Sequence, residues 1–363
     1  MGFQDFHGNQ ETVSQLRQML ARDRFPHAVI LAGPEGAGKY TLALMLTKAM
    51  NCLSPPPGSL PDFCGNCANC VRIAASDDFN ARFAEAVEVR EGLRETDKKD
   101  TRIFVQSHPD VLIIPPDPPQ MLIKIGQVRR VIETIYYKPS EARGRVFIFT
   151  DSAFMKEAAN SLLKVLEEPP ESAVMFLLTT NPGEFLPTIR SRCIRFTLSA
   201  LDTAQIEQYL SEKRSEWNVR QRQLVARLCG GAIGKALSFD LAAYTAGRAD
   251  ALLLLQSAVR ADDHTSLFRA TETYRAGAEG KDKTEQLIRA SYSLLEDLLF
   301  IKEGTPELVR NTDVLPELKK LAGAIEFEWI AAASQRLGQT ESGMRRNLLR
   351  SLSLDAYATS LER

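Results

Sequence analysis

The eight-residue stretch from Gly33 to Tyr40 constrains the fold of this chain most. Its sequence is Gly-Pro-Glu-Gly-Ala-Gly-Lys-Tyr. An apolar run at 28–32 precedes it and predicts a buried strand, and an apolar segment at 42–50 follows it and predicts a helix. A glycine-rich loop in this setting turns its backbone N–H groups toward one anion, and the helix N-terminus adds favourable potential. The candidate phosphate ligands are Gly33, Gly36, Gly38 and Lys39.

Tyr40 departs from the pattern of such loops. Ser or Thr at this position supplies the hydroxyl that holds Mg²⁺. Thr41 does carry a hydroxyl, but one further residue turns it about 100° around the helix. We therefore expect a nucleotide site that takes ATP or ADP without a Mg²⁺ ligand at this position, kept for structure or regulation. Tyr40 stays in the candidate nucleotide-binding set.

Four of the six cysteines cluster with the spacing C-x11-C-x2-C-x2-C. Two C-x-x-C steps suit tetrahedral coordination, and four thiolates close a structural Zn²⁺ site. Unrelated free thiols and a redox pair at Cys64 and Cys67 are the alternatives, although a redox pair leaves the other two cysteines unexplained. The candidate zinc ligands are Cys52, Cys64, Cys67 and Cys70.

Composition places the chain among ordinary globular proteins. Its 363 residues are 44% hydrophobic and 25% charged, and the formal net charge is -1. Bulk attraction to nucleic acid is therefore excluded, and any DNA contact needs a local basic patch. No apolar run reaches the length of a membrane span, and no signal peptide is visible, so we expect a cytoplasmic location and no membrane partner.

Strand and helix patterns alternate after the glycine-rich loop, which predicts a parallel sheet with helices on both faces. The predicted strands are 111–114, 146–149 and 174–179, and the predicted helices between and around them are 125–136 and 157–168. The second strand ends at Thr150-Asp151 with no following Glu. Nucleotide hydrolases use acidic residues here to hold Mg²⁺ and polarise water, so either one weak metal ligand remains or Asp151 caps the next helix.

Several motifs in order carry a family resemblance. The chain resembles the bacterial DNA polymerase III clamp-loader family of AAA+ proteins from residue 1 to about 240. The most specific part is the run from Leu162 to Pro170, with Ser191-Arg192-Cys193 some 20 residues later. The other motifs are the glycine-rich loop, the four-cysteine segment, His108-Pro109-Asp110 and Thr179-Thr180-Asn181-Pro182.

The resemblance implies an α/β P-loop AAA+ domain followed by helical domains. The AAA+ domain would span 1–200 with a zinc module at about 52–70, a small helical lid would span 201–245, and a helical-bundle collar for oligomerisation would span 246–363. With Tyr40 in the loop and a lone Asp151 after the strand, the chain resembles the delta-prime type of subunit, which is usually not a competent ATPase by itself. Motor subunits of the gamma/tau type carry the missing residues.

The resemblance also implies roles for single residues. Arg192 would project into the ATP site of a neighbouring subunit and act there in trans, while the alternative is a local salt bridge. Arg190 and Arg195 are weaker candidates for this role. Thr179 and Thr180 lie at the strand end where the family carries a nucleotide-sensing polar residue, although they can equally cap the strand.

The segment at about 75–107 departs from the family, which passes from the cysteines to His-Pro-Asp within a few residues. It is rich in charge, and Phe83, Val87 and 90–93 fit one short amphipathic helix. We interpret it as a solvated excursion, with a partner-binding element as the alternative.

Three functions follow as hypotheses. A delta-prime-type subunit would join gamma/tau motor subunits and a delta subunit, and the complex would place the sliding clamp on primer-template DNA. The alternative within the family is an ATP-hydrolysing gamma/tau-like motor. The third is a zinc-bearing DNA-binding module, which the scarcity of basic residues near the cysteines disfavours.

Overall fold

The computed structural model describes residues 2–260, 265–274, 277–345 and 349–361. The chain forms two compact units. The first contains Met1–Leu201 with Ala232–Gly234, and the second contains Asp202–Gly231 with Lys235–Arg363. Within the described ranges, no helix is both long and apolar enough to span a bilayer.

The first unit is built on one six-stranded sheet with the order β2-β3-β4-β5-β1-β6. Its strands are β1 (Ala28–Ala32), β2 (Val105–His108), β3 (Val111–Ile114), β4 (Arg145–Phe149), β5 (Ala173–Thr179) and β6 (Ile194–Thr197). The predicted all-parallel sheet is wrong at one edge, where β2 runs antiparallel to β3. Only Pro109 and Asp110 join these two strands, and so short a connection reverses the chain, since a parallel pair needs a long crossover. The sheet is therefore mixed.

Alternate residues of the strands enter two separate cores. Val29 and Leu31 of β1 pack with the helices α1, α2 and α3 on one face of the sheet. Ala28, Ile30 and Ala32 pack with α6 and α7 on the other face. The expectation of helices on both faces is confirmed. In chain order the described helices are α1 (Gln10–Ala21), α2 (Lys39–Asn51), α3 (Ala68–Ala74), α4 (Phe79–Glu91), α5 (Glu95–Asp100), α6 (Ile125–Ile135), α7 (Lys156–Glu167), α8 (Pro187–Arg190), α9 (Thr203–Lys213), α10 (Val219–Leu228), α11 (Ile233–Leu237), α12 (Leu241–Arg260), α13 (Thr265–Glu272), α14 (Gly277–Lys302), α15 (Leu315–Ala322), α16 (Phe327–Arg345) and α17 (Arg350–Ser360), with 3-10 helices at Phe3–Asp5, Pro182–Glu184, Pro306–Leu308 and Thr312–Val314.

The charged segment at 75–107 contains two helices, α4 and α5, rather than one. Apart from Arg90, the residues of α4 are half-buried or exposed, which fits the solvated segment that the sequence predicts. Arg90 near its end is buried and forms an ion pair with the fully buried Asp117. A buried charge is stable only with such a partner, so α4 is held against the body of the first unit by a pair that charge patterning along the sequence does not reveal.

The second unit is helical, as the sequence predicts, but its predicted internal boundary does not coincide with a break in structure. The division at 245/246 falls inside the continuous helix α12. Asn311 is fully buried in this unit and bonds to Tyr244 (2.8 Å), Arg248 (3.0 Å) and Asp297 (2.7 Å). These bonds tie α12 to α14, and the assignment of a separate lid and collar stays a prediction.

Asp110 organises the entry into β4. Its buried carboxylate accepts hydrogen bonds from the backbone N–H groups of Ser140 (2.9 Å), Glu141 (2.8 Å) and Ala142 (3.0 Å), and Arg145 Nε lies 3.3 Å away. Burial opposes ionisation, but these donors outweigh it and hold the pKa of Asp110 below its usual range.

We expect Asp110→Asn to lower the free energy of unfolding by roughly 2–4 kcal/mol at neutral pH, because it replaces a buried acceptor that several N–H groups share. The folded pKa lies below the unfolded one, so the carboxylate stabilises fully above the ordinary Asp pKa of about 3.9 and this stabilisation is lost as pH falls through the folded pKa. Urea unfolding at stepwise lower pH tests this. The difference in free energy of unfolding between the parent protein and Asp110→Asn is expected to become smaller in acid. The exposed Asp100→Asn is the control.

Candidate functional site

The loop after β1 adopts the backbone that its glycines permit. Gly36 (φ 78°) and Gly38 (φ 87°) lie in the left-handed region, and Gly33 has φ 148°. A Cβ at Gly33 would lie 2.4 Å from the carbonyl oxygen of Leu198, so no larger residue fits beside that chain segment. The N–H of Gly33 donates to the Thr179 carbonyl at 3.2 Å, which places the loop next to the end of β5.

Lys39 begins α2 and lies over the loop. Its Nζ donates to the carbonyl oxygens of Gly33 (2.7 Å) and Pro34 (2.8 Å). The carbonyl of Gly36 accepts from the N–H of Gly234 at 2.8 Å. A lysine at the start of a 13-residue helix, above a loop with left-handed glycines, fits the binding of phosphate groups.

The Tyr40 side chain makes structural contacts with the segment that leads into α4. Its hydroxyl donates to the buried Ser76 carbonyl at 2.7 Å, and its ring lies 5.2 Å from that of Phe79 at the start of α4. Burial, with a smaller contribution from Asp77, raises the pKa of Tyr40. The hydroxyl therefore remains protonated as a donor to Ser76, and the side chain is engaged away from the metal-ligand role of Ser or Thr at this position.

Thr179 and Asp151 lie at the ends of adjacent strands and bond locally. The Thr179 hydroxyl lies 2.9 Å from the Ser152 hydroxyl and accepts from the N–H of Asn181 at 2.9 Å. The Asp151 carboxylate accepts from the N–H of Ala153 at 2.9 Å. Asp151 does not cap the next helix, because α7 begins at Lys156 and its N-cap, Met155, receives no side-chain bond. The Thr179 contacts fit a residue that ends its strand, and the sensing role of Thr179 stays a prediction.

Arg192 lies in the turn between α8 and β6, with its side chain 34% exposed. Its Nη1 donates to the Thr188 carbonyl at 2.9 Å, and its Nη2 lies 2.8 Å from Glu167 Oε1. The local salt bridge that the sequence left open is therefore present. A half-exposed ion pair of this kind contributes little free energy, so it does not prevent the guanidinium from meeting another anion.

The four predicted ligand cysteines come together. The sulfur atoms of Cys52, Cys64, Cys67 and Cys70 all lie within 4.8 Å of one another. The N–H of Cys64 points to Cys52 Sγ and that of Cys67 to Cys64 Sγ, both at 3.3 Å. Four sulfurs at this separation fit tetrahedral coordination of Zn²⁺, and N–H donors favour the thiolate form that binds metal.

The cysteine segment is tied to the sheet by side chains that sequence reasoning missed. The buried Asn51 accepts from the N–H groups of Arg143 and Gly144, both at 3.0 Å. Asn69 donates to the Asn51 carbonyl at 3.0 Å. Asn51 directly precedes Cys52, and this adjacency is the one signal in the sequence that could have indicated a structural role.

The fold and the loop define the chain as an α/β protein with a strand–loop–helix motif of the phosphate-loop type and a four-cysteine cluster. The family model described as "DNA polymerase III, delta subunit" matches residues 8–202. The chain therefore belongs to that family, since the match covers more than half of its length.

Curated relatives agree with this assignment. The chain is 30% identical over 250 residues to DNA polymerase III subunit tau of Escherichia coli K12, covering 68% of this chain and 33% of the relative. It is 28% identical to DNA polymerase III subunit gamma of Buchnera aphidicola (strain APS), covering 57% of this chain and 48% of the relative. It thus spans only about a third of the length of the tau relative.

A similar solved structure is a gamma subunit-related protein from Thermotoga maritima. It is 19% identical and overlaps 96% of this chain and 98% of its own, with a TM-score of 0.42.

We expect the purified protein to hold about one zinc ion per chain, because four clustered thiolates close a tetrahedral site. Cys64→Ser and Cys67→Ser lose most of that zinc and unfold at lower temperature, since structural metal sites contribute directly to folding. Elemental analysis with thermal unfolding measures both effects. Cys193→Ser, outside the cluster, is the control that keeps its zinc, and equal metal content in all three variants contradicts the assignment.

We expect Tyr40→Phe to lower the free energy of unfolding by about 1 kcal/mol, because the buried Ser76 carbonyl loses its donor. Tyr40→Thr also removes the ring beside Phe79, so its deficit is larger and α4 becomes more sensitive to protease. Tyr136→Phe is the matched control, since its hydroxyl bond is on the surface. Denaturant unfolding measures the series, and equal stability of Tyr40→Phe and the parent contradicts it.

Proposed function

We propose that this chain is a delta-prime-type subunit of the DNA polymerase III clamp loader, with little or no ATPase activity of its own. The family membership and the tau and gamma relatives support a clamp-loader role. The contact between Tyr40 and Ser76 carries the delta-prime assignment, because the side chain at the Mg²⁺-ligand position is a bulky phenol bonded elsewhere. The lone Asp151, bonded to the following backbone, supports the same assignment.

The proposal includes an AAA+ domain with two bound groups. ATP or ADP would lie at Gly33, Gly36, Gly38 and Lys39, with the backbone of Tyr40 at the helix start and Thr179 nearby. Left-handed glycines and the position of Lys39 support this, and a helix N-terminus favours phosphate. Zn²⁺ would be held by the four cysteines and would supply structural rigidity. No Mg²⁺ site is proposed.

In this proposal the partners are gamma/tau motor subunits and a delta subunit, in a complex that places the sliding clamp on primer-template DNA in the cytoplasm. Arg192 would reach the ATP site of the adjacent motor subunit. A guanidinium is always charged and stabilises the charge that develops on a transferred phosphoryl group. Its exposure in a turn supports this role, since a group that acts in trans has to be accessible.

A gamma/tau-like motor is the second candidate, because several of the relatives are named tau or gamma subunits. The names weigh little against Tyr40, since a shared AAA+ ancestry gives motor and non-motor subunits similar sequences. The two candidates differ in whether the isolated chain hydrolyses ATP.

We expect the isolated chain to hydrolyse no ATP, and we expect Arg192→Ala to reduce hydrolysis in the complex reconstituted with motor and delta subunits, clamp and primed DNA. The reduction falls on the adjoining motor site, where an arginine finger contributes roughly 10³–10⁵ in kcat. Steady-state ATPase rates of the chain alone and of both complexes measure this.

Arg22→Ala is the control, because Arg22 is an exposed arginine at the end of α1 and is not a candidate for the role in trans. Size-exclusion chromatography checks that each complex assembles. Hydrolysis by the isolated chain that Lys39→Ala abolishes would identify a motor instead. An unchanged rate in an assembled Arg192→Ala complex would exclude the action in trans.

A further inference from the structure

Glu167 lies at a position that its own helix does not favour. It is the last residue of α7, where backbone carbonyl groups create negative potential. A carboxylate there is unfavourable unless a positive group lies close by. Arg192 supplies that group, because its Nη2 is 2.8 Å from Glu167 Oε1. The pair joins residues that are far apart in sequence and lie at two exposed positions.

Both terminal nitrogens of the Arg192 guanidinium have partners, but not all of its N–H groups are used. Glu167 takes Nη2, while the Thr188 carbonyl (2.9 Å) and the Ser191 hydroxyl (3.3 Å) take Nη1. A guanidinium has five N–H donors in a rigid planar fork. Three acceptors therefore leave donors that an oxygen from another molecule can accept, while the plane of the fork stays oriented.

The ion pair between Arg192 and Glu167 is weak enough for Arg192 to exchange Glu167 for another anion. The Glu167 side chain is 51% exposed and that of Arg192 is 34% exposed, so water screens their attraction. Exposed ion pairs of this kind are weak, so they favour one orientation of a long side chain without fixing it there. The Thr188 carbonyl adds a second, uncharged contact from α8, so the direction of the side chain depends on two elements.

We propose that Glu167 is the positioning residue for Arg192, orienting the guanidinium toward the phosphate groups of a nucleotide bound by an adjoining subunit. This inference rests on the proposed role of Arg192 in trans. Glu167 does not touch the nucleotide and acts through Arg192 alone. Its removal therefore lowers the stimulated kcat of the complex, and leaves the KM for ATP unchanged because nucleotide binding belongs to the motor subunit.

The test is a double-mutant cycle in the reconstituted complex with ATP as the probe. We expect Glu167→Ala to lower the Arg192-dependent part of kcat about 3-fold, in keeping with a weak exposed pair. Glu167→Gln keeps an oxygen acceptor and restores part of the loss. In the Arg192→Ala background, Glu167→Ala has no further effect, which is the non-additivity expected of a residue that acts through another. Glu168→Ala is the matched control, since Glu168 is the next residue and also exposed.

Five outcomes overturn the inference. An unchanged or higher rate in Glu167→Ala shows that the carboxylate does not orient the arginine or even restrains it. An equal loss in the Arg192→Ala background shows a structural role instead. A raised KM or a failure of Glu167→Ala to assemble, seen by size-exclusion chromatography, places Glu167 elsewhere. An Arg192→Ala complex with the full rate overturns the proposed function itself, and so is distinguished from a failure of Glu167 alone.

Discussion

Strand β1 is the constraint on which the rest of the first unit depends. It is buried on both faces and pairs in parallel with β5 and β6, so the chain has to leave the sheet through a crowded edge. The carbonyl of Leu198 approaches so closely that Gly33 admits no Cβ. This sterically selected turn places Lys39 at the start of α2, and a loop of this kind gathers N–H groups where a phosphate group is stabilised.

Helix α2 then connects this edge to the cysteine cluster. It spans Lys39–Asn51, about 20 Å at 1.5 Å per residue, and the next residue is Cys52. Its first turn faces the inserted helix α4 through Tyr40, while its last residue, Asn51, holds the turn before β4. Side chains at both ends of the helix therefore make structural contacts with neighbouring segments. The contact of Tyr40 supports the proposal of a nucleotide site that lacks its metal ligand.

The exposed turn at Arg192 has the opposite character. Buried polar groups elsewhere in the chain, such as Asp110 and Asn311, have several partners at hydrogen-bond distance and hold elements together. Arg192 instead has a screened ion pair and spare donors. Weak partners cost little to exchange, so this is the kind of site from which a charge can act on another molecule.

The sequence by itself determined the features that depend on neighbouring residues. Apolar periodicity located β3, β4 and β5, and glycine spacing with cysteine spacing located the loop and the cluster, because backbone sterics and ligand turns are local. Only the tertiary structure decided that β2 runs antiparallel, that α4 is anchored by Arg90 and that Tyr40 bonds to Ser76. The same holds for the pairing of Glu167 with Arg192. These depend on contacts between distant segments, and a residue type alone does not specify which partner the folded chain brings within bonding distance.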